Sequence, residues 1–194
     1  MSLLTCGVPV DEAKGVALIT EAAQRGLQRA QASMGEFYFF GSRGLKKSVP
    51  LALKYLKLAV TELQIKDEGY LVNLRYPLGG KLRNQSIYRI ASCYSLGPDP
   101  SLADSYYWFN RYLSTHPPSC GGFEEEGKAR EKVDEIKKHL ASHCSTCKRE
   151  KEREGDRPLD TCSRCRLACY CSTECQREHW VSHKEICKMI KGVL

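Results

Sequence analysis

Residues 162–187, CSRCRLACYCSTECQREHWVSHKEIC, hold six cysteines and two histidines in twenty-six positions. The whole chain of 194 residues has eleven cysteines, and eight of them lie between residues 144 and 187. Residues 1–15 show no basic start followed by an apolar run, and no stretch approaches the ~20 apolar residues of a membrane span. We therefore expect the chain in the cytoplasm and/or nucleus and away from membranes. In those compartments clustered cysteines indicate metal binding or catalysis rather than disulfides.

The spacing of these residues favours zinc. Four ordered pairs follow one another, namely Cys144 with Cys147, Cys162 with Cys165, Cys171 with Cys175, and His183 with Cys187. Thiolates three residues apart fit on a tight knuckle that faces one ion, and residues four apart share one face of a helix. The apolar spacing of EHWVSHKEICKMIKG predicts such a helix. Because tetrahedral zinc takes four ligands, the eight residues predict two structural Zn²⁺ ions.

Three further candidates remain in or beside this stretch. Cys169 breaks the pairing pattern, and we interpret it as a small buried residue. His179 lies four residues before His183 and is the alternative ligand. His143 precedes Cys144 at the end of a predicted helix and is interpreted as a helix-end residue. The sequence HWVSH lacks the glutamate of H-E-x-x-H, which excludes that metalloprotease motif.

The arrangement C-x2-C, a gap, then C-x2-C-x5-C-x3-C-x7-H-x3-C resembles a MYND-type zinc finger. It departs from that family in the extra Cys169 and in a long, charged first gap. The resemblance implies a cross-brace, in which one ion is held by Cys144, Cys147, Cys171 and Cys175. The other ion is then held by Cys162, Cys165, His183 and Cys187. Protein atoms fill every position around both ions, so the zinc has a structural role.

The same resemblance implies a function on the surface of the finger. MYND fingers typically bind short proline-rich peptides, often of the PxLxP type. The family features for this role match Gln176 and Trp180, and to a lesser degree Thr173. A tryptophan on a short helix offers a flat ring against which a proline can pack. The alternative is that Trp180 fills the small core of the finger.

The N-terminal part reads as paired helices. Small and aromatic residues recur in GLQRAQASMGEFYFFGSRGLKKSVPLALKYLKLAV and again in SIYRIASCYSLGPDPSLADSYYWFNRYL, where Ala91, Tyr94 and Gly97 correspond to Gly35, Tyr38 and Gly41. These segments resemble Sel1-like repeats, which are relatives of tetratricopeptide helix pairs. DEAKGVALITEAAQRG resembles the second helix of an earlier, incomplete repeat. Core positions are predicted for the following residues: Tyr38, Cys93, Tyr94 and Trp108.

Two segments complete the organisation. Residues 61–84 depart from the repeat pattern and are interpreted as an extended repeat or a loop. In EEEGKAREKVDEIKKHLASH, the apolar residues Ala129, Val133, Ile136 and Leu140 form one stripe, which predicts a capping and connecting helix. The predicted fold is mostly α, with Sel1/TPR-like helical repeats over residues 1–123. The connecting helix follows at 124–143, and a small two-zinc cross-brace MYND finger at 144–190.

These features favour a protein–protein interaction adaptor. Its expected partners are proline-rich peptide segments of other proteins and a second protein on the repeat face. The alternative is a transcription-related zinc protein that binds nucleic acid. The net charge of +7 is consistent with that alternative. Seven thiolates and two Zn²⁺ lower that charge to +4, and lower the charge of residues 144–194 from +3 to 0. Nucleic acid is therefore the less favoured partner. We find no SET-type methyltransferase motif and no nucleophile–base constellation, and expect no enzyme.

Overall fold

Helices dominate the computed structural model, which describes residues 11–65, 79–97, 101–115, 123–150 and 158–192. The elements are α1 (Glu12–Gln24), α2 (Gln28–Phe40), α3 (Val49–Ile65), α4 (Gly79–Leu96), α5 (Leu102–Thr115), α6 (Phe123–Ser142), β1 (Asp160–Thr161), β2 (Cys169–Tyr170) and α7 (Thr173–Lys191). The mostly α prediction is confirmed. No helix within these ranges is both long and apolar enough to cross a membrane.

Helices α2 and α3 form a closely packed pair. A Cβ atom added to Gly35 of α2 lies 2.6 Å from the Cγ atom of Leu56 in α3, so only glycine allows this approach. Nearby, the rings of Tyr38 and Tyr55 stack with centroids 5.8 Å apart. Gly41 ends α2 with a φ of +67°, a left-handed conformation that glycine adopts without strain. The small and aromatic residues of the repeat pattern therefore set the spacing of the two helices.

Helix α1 packs on α2 around a small core. Ala23 of α1 and Ala30 and Met34 of α2 are buried, and half-buried apolar side chains surround them. The side chain of Asp11 begins α1 by accepting a hydrogen bond of 2.9 Å from the backbone N–H of Lys14. Helix α1 thus occupies the place of the second helix of an incomplete repeat.

Helices α4 and α5 make up the second pair. The hydroxyl of Ser105 in α5 is buried, donates to the backbone carbonyl of Ala91 at 3.0 Å, and lies 2.6 Å from the hydroxyl of Ser95. Cys93 and Trp108 are buried, as predicted. Tyr38 and Tyr94 are only half-buried, although the ring of Tyr38 still stacks on that of Tyr55. Of the segment interpreted as a loop or extended repeat, residues 66–78 lie outside the described part.

In helix α6, the apolar residues that were predicted to form one stripe lie on the buried side of the helix. Ala129, Val133 and Ile136 are buried and Leu140 is half-buried. The helix packs on α5 and also contacts β2 of the cysteine-rich region, where β1 and β2 pair antiparallel with Asp160 opposite Tyr170. Helix α7 contacts both α5 and β2. The cysteine-rich region therefore has packing partners among the preceding helices.

The chain divides into two compact units, residues 1–89 and 90–194, with the boundary inside α4. The first unit contains α1 to α3. The second contains α5, α6, both strands and α7, so the cysteine-rich region shares a unit with the last repeat helix. The domain boundaries proposed from composition, 1–123, 124–143 and 144–190, stay a prediction.

Candidate metal centre

Two tight turns with the same backbone geometry present the C-x2-C pairs. The backbone N–H of Lys148 donates to the carbonyl of Cys144 at 3.0 Å, and that of Arg166 donates to the carbonyl of Cys162 at 2.8 Å. Lys148 and Arg166 have φ values of +61° and +52°, the left-handed conformation that reverses the chain after each pair. Both pairs of thiols are thereby held on knuckles of the predicted kind.

Helix α7 supplies the remaining ligands. Its N-cap is Ser172, whose hydroxyl accepts a hydrogen bond from the backbone N–H of Cys175 at 3.3 Å. Cys171 and Cys175 therefore flank the start of the helix. His183 and Cys187 lie four residues apart within it, on the buried face that also carries Ile186 and Ile190.

The eight residues come together in two groups of four. The first contains Cys144, Cys147, Cys171 and Cys175, and the second contains Cys162, Cys165, His183 and Cys187. Within each group all donor atoms lie within 4.8 Å of one another. The first and third pairs share one group and the second and fourth share the other, which is the interleaved arrangement that the resemblance implied.

The spacing of the donor atoms fits tetrahedral zinc. Zn–S bonds of ~2.3 Å and Zn–N bonds of ~2.0 Å give S–S edges of ~3.8 Å and S–N edges of ~3.5 Å. In the first group, Sγ of Cys171 lies 3.6 Å from Sγ of both Cys147 and Cys175. In the second, Sγ of Cys162 and Cys187 are 3.9 Å apart, and Sγ of Cys165 is 3.5 Å from Nε2 of His183. The donor sets, three cysteines and a histidine or four cysteines, are those of structural zinc.

The two groups differ in their access to solvent. All four members of the second group are buried, whereas Cys147 in the first is exposed and Cys171 and Cys175 are half-buried. The second ion would therefore lie deeper in the module than the first. We expect chelators to reach the first ion sooner.

The pKa values of several cysteine side chains and of His183 in the two groups favour the binding of a divalent cation. Burial lowers the pKa of His183 to about 4, so its imidazole is neutral at pH 7 and able to ligate. Burial opposes ionisation of Cys144, but hydrogen bonds from the backbone of Cys171, Cys147 and Thr146 outweigh it and lower its pKa to about 6.

Two other thiols of these groups, those of Cys171 and Cys187, are harder to ionise. Hydrogen bonding to the Cys147, Cys175 and Cys144 side chains raises the pKa of Cys171 to about 12. Burial, together with the neighbouring thiols Cys165 and Cys162, raises the pKa of Cys187 to about 12. Several thiolates a few ångströms apart repel one another unless a cation lies between them, and Zn²⁺ supplies that charge.

The other sequence candidates lie outside both groups. Cys169 is buried in β2, as a small core residue, and burial raises the pKa of its thiol. Nδ1 of His179 forms a hydrogen bond of 3.0 Å with the hydroxyl of Tyr170. His143 lies at the end of α6, where its ring stacks on that of His139 with centroids 4.1 Å apart.

A groove lies beside the second group. It has a volume of about 500 Å³ and is lined by Cys162, Ser163, Arg164, Thr173, Gln176, Arg177 and Trp180. The three residues expected to contact a peptide, Thr173, Gln176 and Trp180, are all in its wall. Trp180 is 38% exposed, and the edge of its ring packs against His183 with centroids 6.1 Å apart. One part of the indole thus packs on a predicted zinc ligand, while another part is open to solvent.

Sequence reasoning missed the charged part of this wall. Arg177 lies one residue after Gln176 and three before Trp180, a spacing that places it next to Trp180 on a helix. Arg164 lies inside the knuckle between Cys162 and Cys165, and no local pattern brings it to α7. The hydrogen bond between Tyr170 and His179 was also missed, because no local pattern brings these two residues together.

Comparison with known families identifies both parts of the chain. The MYND finger model matches residues 144–187, and the Sel1 repeat model matches residues 3–27, 28–61 and 84–111. The C-terminal region is therefore a MYND finger with two clusters suited to zinc, and the N-terminal region contains Sel1 repeats. Modules of both kinds mediate protein–protein interactions. No solved structure matches the chain significantly.

Similar proteins share short segments with the chain. A SET and MYND domain-containing protein of Dictyostelium discoideum is 33% identical over 72 residues, which are 35% of this chain and 13% of that protein. The histone-lysine N-methyltransferase SMYD3 of Homo sapiens is 47% identical over 38 residues, 20% of this chain and 9% of the enzyme. The N-lysine methyltransferase SMYD2 of Bos taurus is 46% identical over 46 residues, 24% of this chain and 10% of the enzyme. The chain thus spans no more than 13% of the length of these relatives, and the two methyltransferases match its MYND region.

Proposed function

We propose that this chain, in which Sel1 repeats precede a MYND finger, is an adaptor whose finger binds short proline-rich peptides of other proteins. Two structural zinc ions fix the shape of the finger, and the peptide occupies the groove beside α7. The observation that carries this proposal is the groove wall, which contains Thr173, Gln176 and Trp180 together. Those residues come from the first three turns of one helix, so their relative positions are rigid.

The chemistry of the groove suits a proline-containing segment. The exposed part of the Trp180 ring offers an apolar plane, and proline rings pack well on aromatic planes. The Gln176 amide can both donate to and accept from the backbone of an extended peptide. Because Trp180 also packs against His183, its ring is held in place before a peptide arrives, which reduces the entropy lost on binding. Contact with the core and contact with a peptide are therefore compatible roles for this residue.

The test is an amide NMR titration of the zinc-loaded chain with a PxLxP peptide. We expect shifts confined to the groove residues and lost in Trp180→Ala. Met189→Ala is the matched control, because Met189 lies on the same helix, is also 38% exposed and is not in the groove wall. Both variants must retain two zinc ions. Peptide shifts that survive Trp180→Ala, or an absence of shifts in the unmodified chain, would contradict the proposal.

Nucleic acid is the competing ligand. A titration with a short DNA duplex under the same conditions distinguishes the two, because binding to a polyanion weakens steeply with salt. We expect no saturable shifts with the duplex, since the metallated module is neutral overall by the charge count given above. Salt-sensitive duplex shifts without peptide shifts would favour the transcription-related alternative.

For the repeats we propose a scaffolding role that includes a second protein partner. The supporting feature is Phe40 at the end of α2, which is 55% exposed. The guanidinium of Arg89 lies over its ring at 4.9 Å and within 3.9 Å of the Glu36 carboxylate. We expect Phe40→Ser to abolish the binding of a partner that Trp180→Ala still binds. A partner affected equally by both variants would contradict a separate repeat surface.

A location in the cytoplasm and/or nucleus is part of the proposal. The seven cysteine ligands must remain reduced thiolates to hold zinc, and those compartments keep thiols reduced. Imaging of a tagged chain tests this directly, and accumulation in an oxidising compartment would contradict it.

A further inference from the structure

The charged residues of α7 are sorted by sign around the helix. At 3.6 residues per turn, Arg177, Lys184, Lys188 and Lys191 fall within an arc of about 60°, adjoining Trp180. All four are exposed, and we call them the basic strip. The acidic residues of α7, Glu174, Glu178 and Glu185, fall on the neighbouring arc, farther from Trp180. The positive side of the helix is thus the side that carries the groove.

Arginines also stand on both walls of the groove. Arg164 comes from the knuckle between Cys162 and Cys165, and Arg177 comes from the second turn of α7. Among the described residues, neither guanidinium forms a direct ion pair with a carboxylate, although Arg177 interacts electrostatically with Glu174 and Arg164 with Glu185. Lys188 differs, because its ammonium is bonded to Glu185 at 2.9 Å. Because these interactions are not direct ion pairs, the two arginines in the groove wall can still form hydrogen-bonded pairs with carboxylates supplied from outside the chain.

We propose that the groove selects proline-containing peptides that carry aspartate or glutamate beside the proline segment. The proline segment packs on Trp180, and the acidic side chains bind Arg164 and Arg177 as charge-assisted hydrogen-bonded pairs. Lys184 extends the favourable potential along the strip. This inference rests on the proposed peptide function and names the class of peptide that the site takes.

A short acidic peptide fits this surface better than a nucleic acid does. The basic strip is one helix face wide, and Glu174, Glu178 and Glu185 border it. A duplex presents a charge every ~1.7 Å and requires a broader cationic face, so these carboxylates would repel part of it. A peptide with a few carboxylates can meet the arginines and avoid the glutamates. Charge complementarity thus favours the peptide.

The test compares three PxLxP peptides of equal length. One carries three glutamates before the motif, one carries three after it, and one carries glutamine in all these places. Isothermal titration at ~50 mM and ~200 mM salt gives the affinities. We expect at least one acidic peptide to bind about five- to tenfold more tightly than the glutamine peptide at low salt, which is the size of one or two partly exposed ion pairs. The difference should shrink at the higher salt concentration because the charges are screened.

Charge substitutions show which residues are responsible. Arg177→Gln should clearly lower the affinity ratio of the acidic and neutral peptides, because it removes one of the two arginines that the acidic side chains bind. Arg29→Gln is the control, because Arg29 is an exposed arginine on α2 and the variant loses the same charge. We expect the control to keep the full ratio. Both variants should hold two zinc ions and give the amide spectrum of a folded chain.

The outcomes separate the inference from the function on which it rests. Equal binding of all three peptides would overturn the acidic selectivity and leave the peptide function standing. Binding of none of them would overturn both. A ratio reduced equally by Arg177→Gln and Arg29→Gln would show that net charge, not the groove, is responsible, and would overturn the inference. Displacement of the acidic peptide by a DNA duplex would assign the basic strip to nucleic acid and overturn it as well.

Discussion

The imidazole of His179 stacks on that of His183, with ring centroids 5.1 Å apart and an angle of 23° between the ring planes. Nε2 of His183 faces the second group of ligands, while its Nδ1 is buried and has no hydrogen-bond partner among the described residues. Stacking therefore takes the place of the usual second hydrogen bond in orienting this ligand. His179 is hydrogen-bonded to the hydroxyl of Tyr170 and belongs to neither group of four, so we propose that it positions His183 and is not itself a ligand.

We predict that His179→Ala weakens zinc binding at the second site about tenfold, because loss of an orienting neighbour typically costs 10- to 100-fold in metal affinity. Competition with a chromophoric chelator measures the affinity. His179→Phe should retain most of it, since a phenyl ring can still stack. His139→Ala, an exposed histidine on α6, should leave the second site unaffected. Equal losses in the phenylalanine and alanine variants would show that stacking is not the operative contact.

The number of bound ions tests the assignment of ligands. Native mass spectrometry should find two zinc ions in the unmodified chain and two in Cys169→Ala, because Cys169 belongs to neither group. Cys175→Ala removes a ligand of the first group alone and should leave one firmly held ion. A Cys169→Ala chain with a single ion would contradict the assignment.

Local sequence patterns predicted those parts of the finger that are formed by residues three or four positions apart in the chain. The knuckles of Cys144 and Cys162, and the shared helix face of His183 and Cys187, follow from spacings of three and four residues. Spacing alone did not determine which pairs share an ion; the family resemblance supplied that pairing. At each ion, two pairs that are far apart in the sequence come together. A local pattern of residues does not show which distant pairs will meet.

The contacts that sequence reasoning missed join residues without a periodic relationship. Arg164 reaches the groove because its knuckle is fixed beside α7 by the second group. The contact between α7 and α5 joins residues about seventy positions apart in the chain, and no periodic pattern relates the two helices. A local pattern shows which face of a helix is apolar, but it does not identify the distant side chains that pack on that face.

Two glycines in helices have opposite predicted effects when changed to alanine. In Gly35→Ala the new methyl group meets the fully buried side chain of Leu56, so we expect a loss of about 1–3 kcal/mol in the free energy of unfolding. Gly127 in α6 has open space around it. Gly127→Ala should stabilise the chain by about 0.5–1 kcal/mol through helix propensity. Urea denaturation measures both, and a neutral Gly35→Ala would mean that α2 and α3 separate at little cost.

Zinc removal should loosen the helices that the finger touches. Closed zinc sites contribute roughly 10–16 kcal/mol of binding free energy that is coupled to folding in small zinc peptides, so the metal-free finger is expected to unfold. Helix α5 then loses its contact with α7, and α6 loses its contact with β2. Helices α1 to α3 belong to the other compact unit and keep their own core around Met34.

Hydrogen exchange read by mass spectrometry locates this effect. After chelation we expect peptides from α5 and α6 to exchange at least about tenfold faster, as local opening becomes cheaper, while peptides from α2 and α3 are unchanged. Re-addition of zinc is the control and should restore the original protection. The first ion should leave before the second, because Cys147 is exposed and the second group is entirely buried. If α5 and α6 keep their protection without zinc, the finger contributes nothing to the stability of the helices beside it.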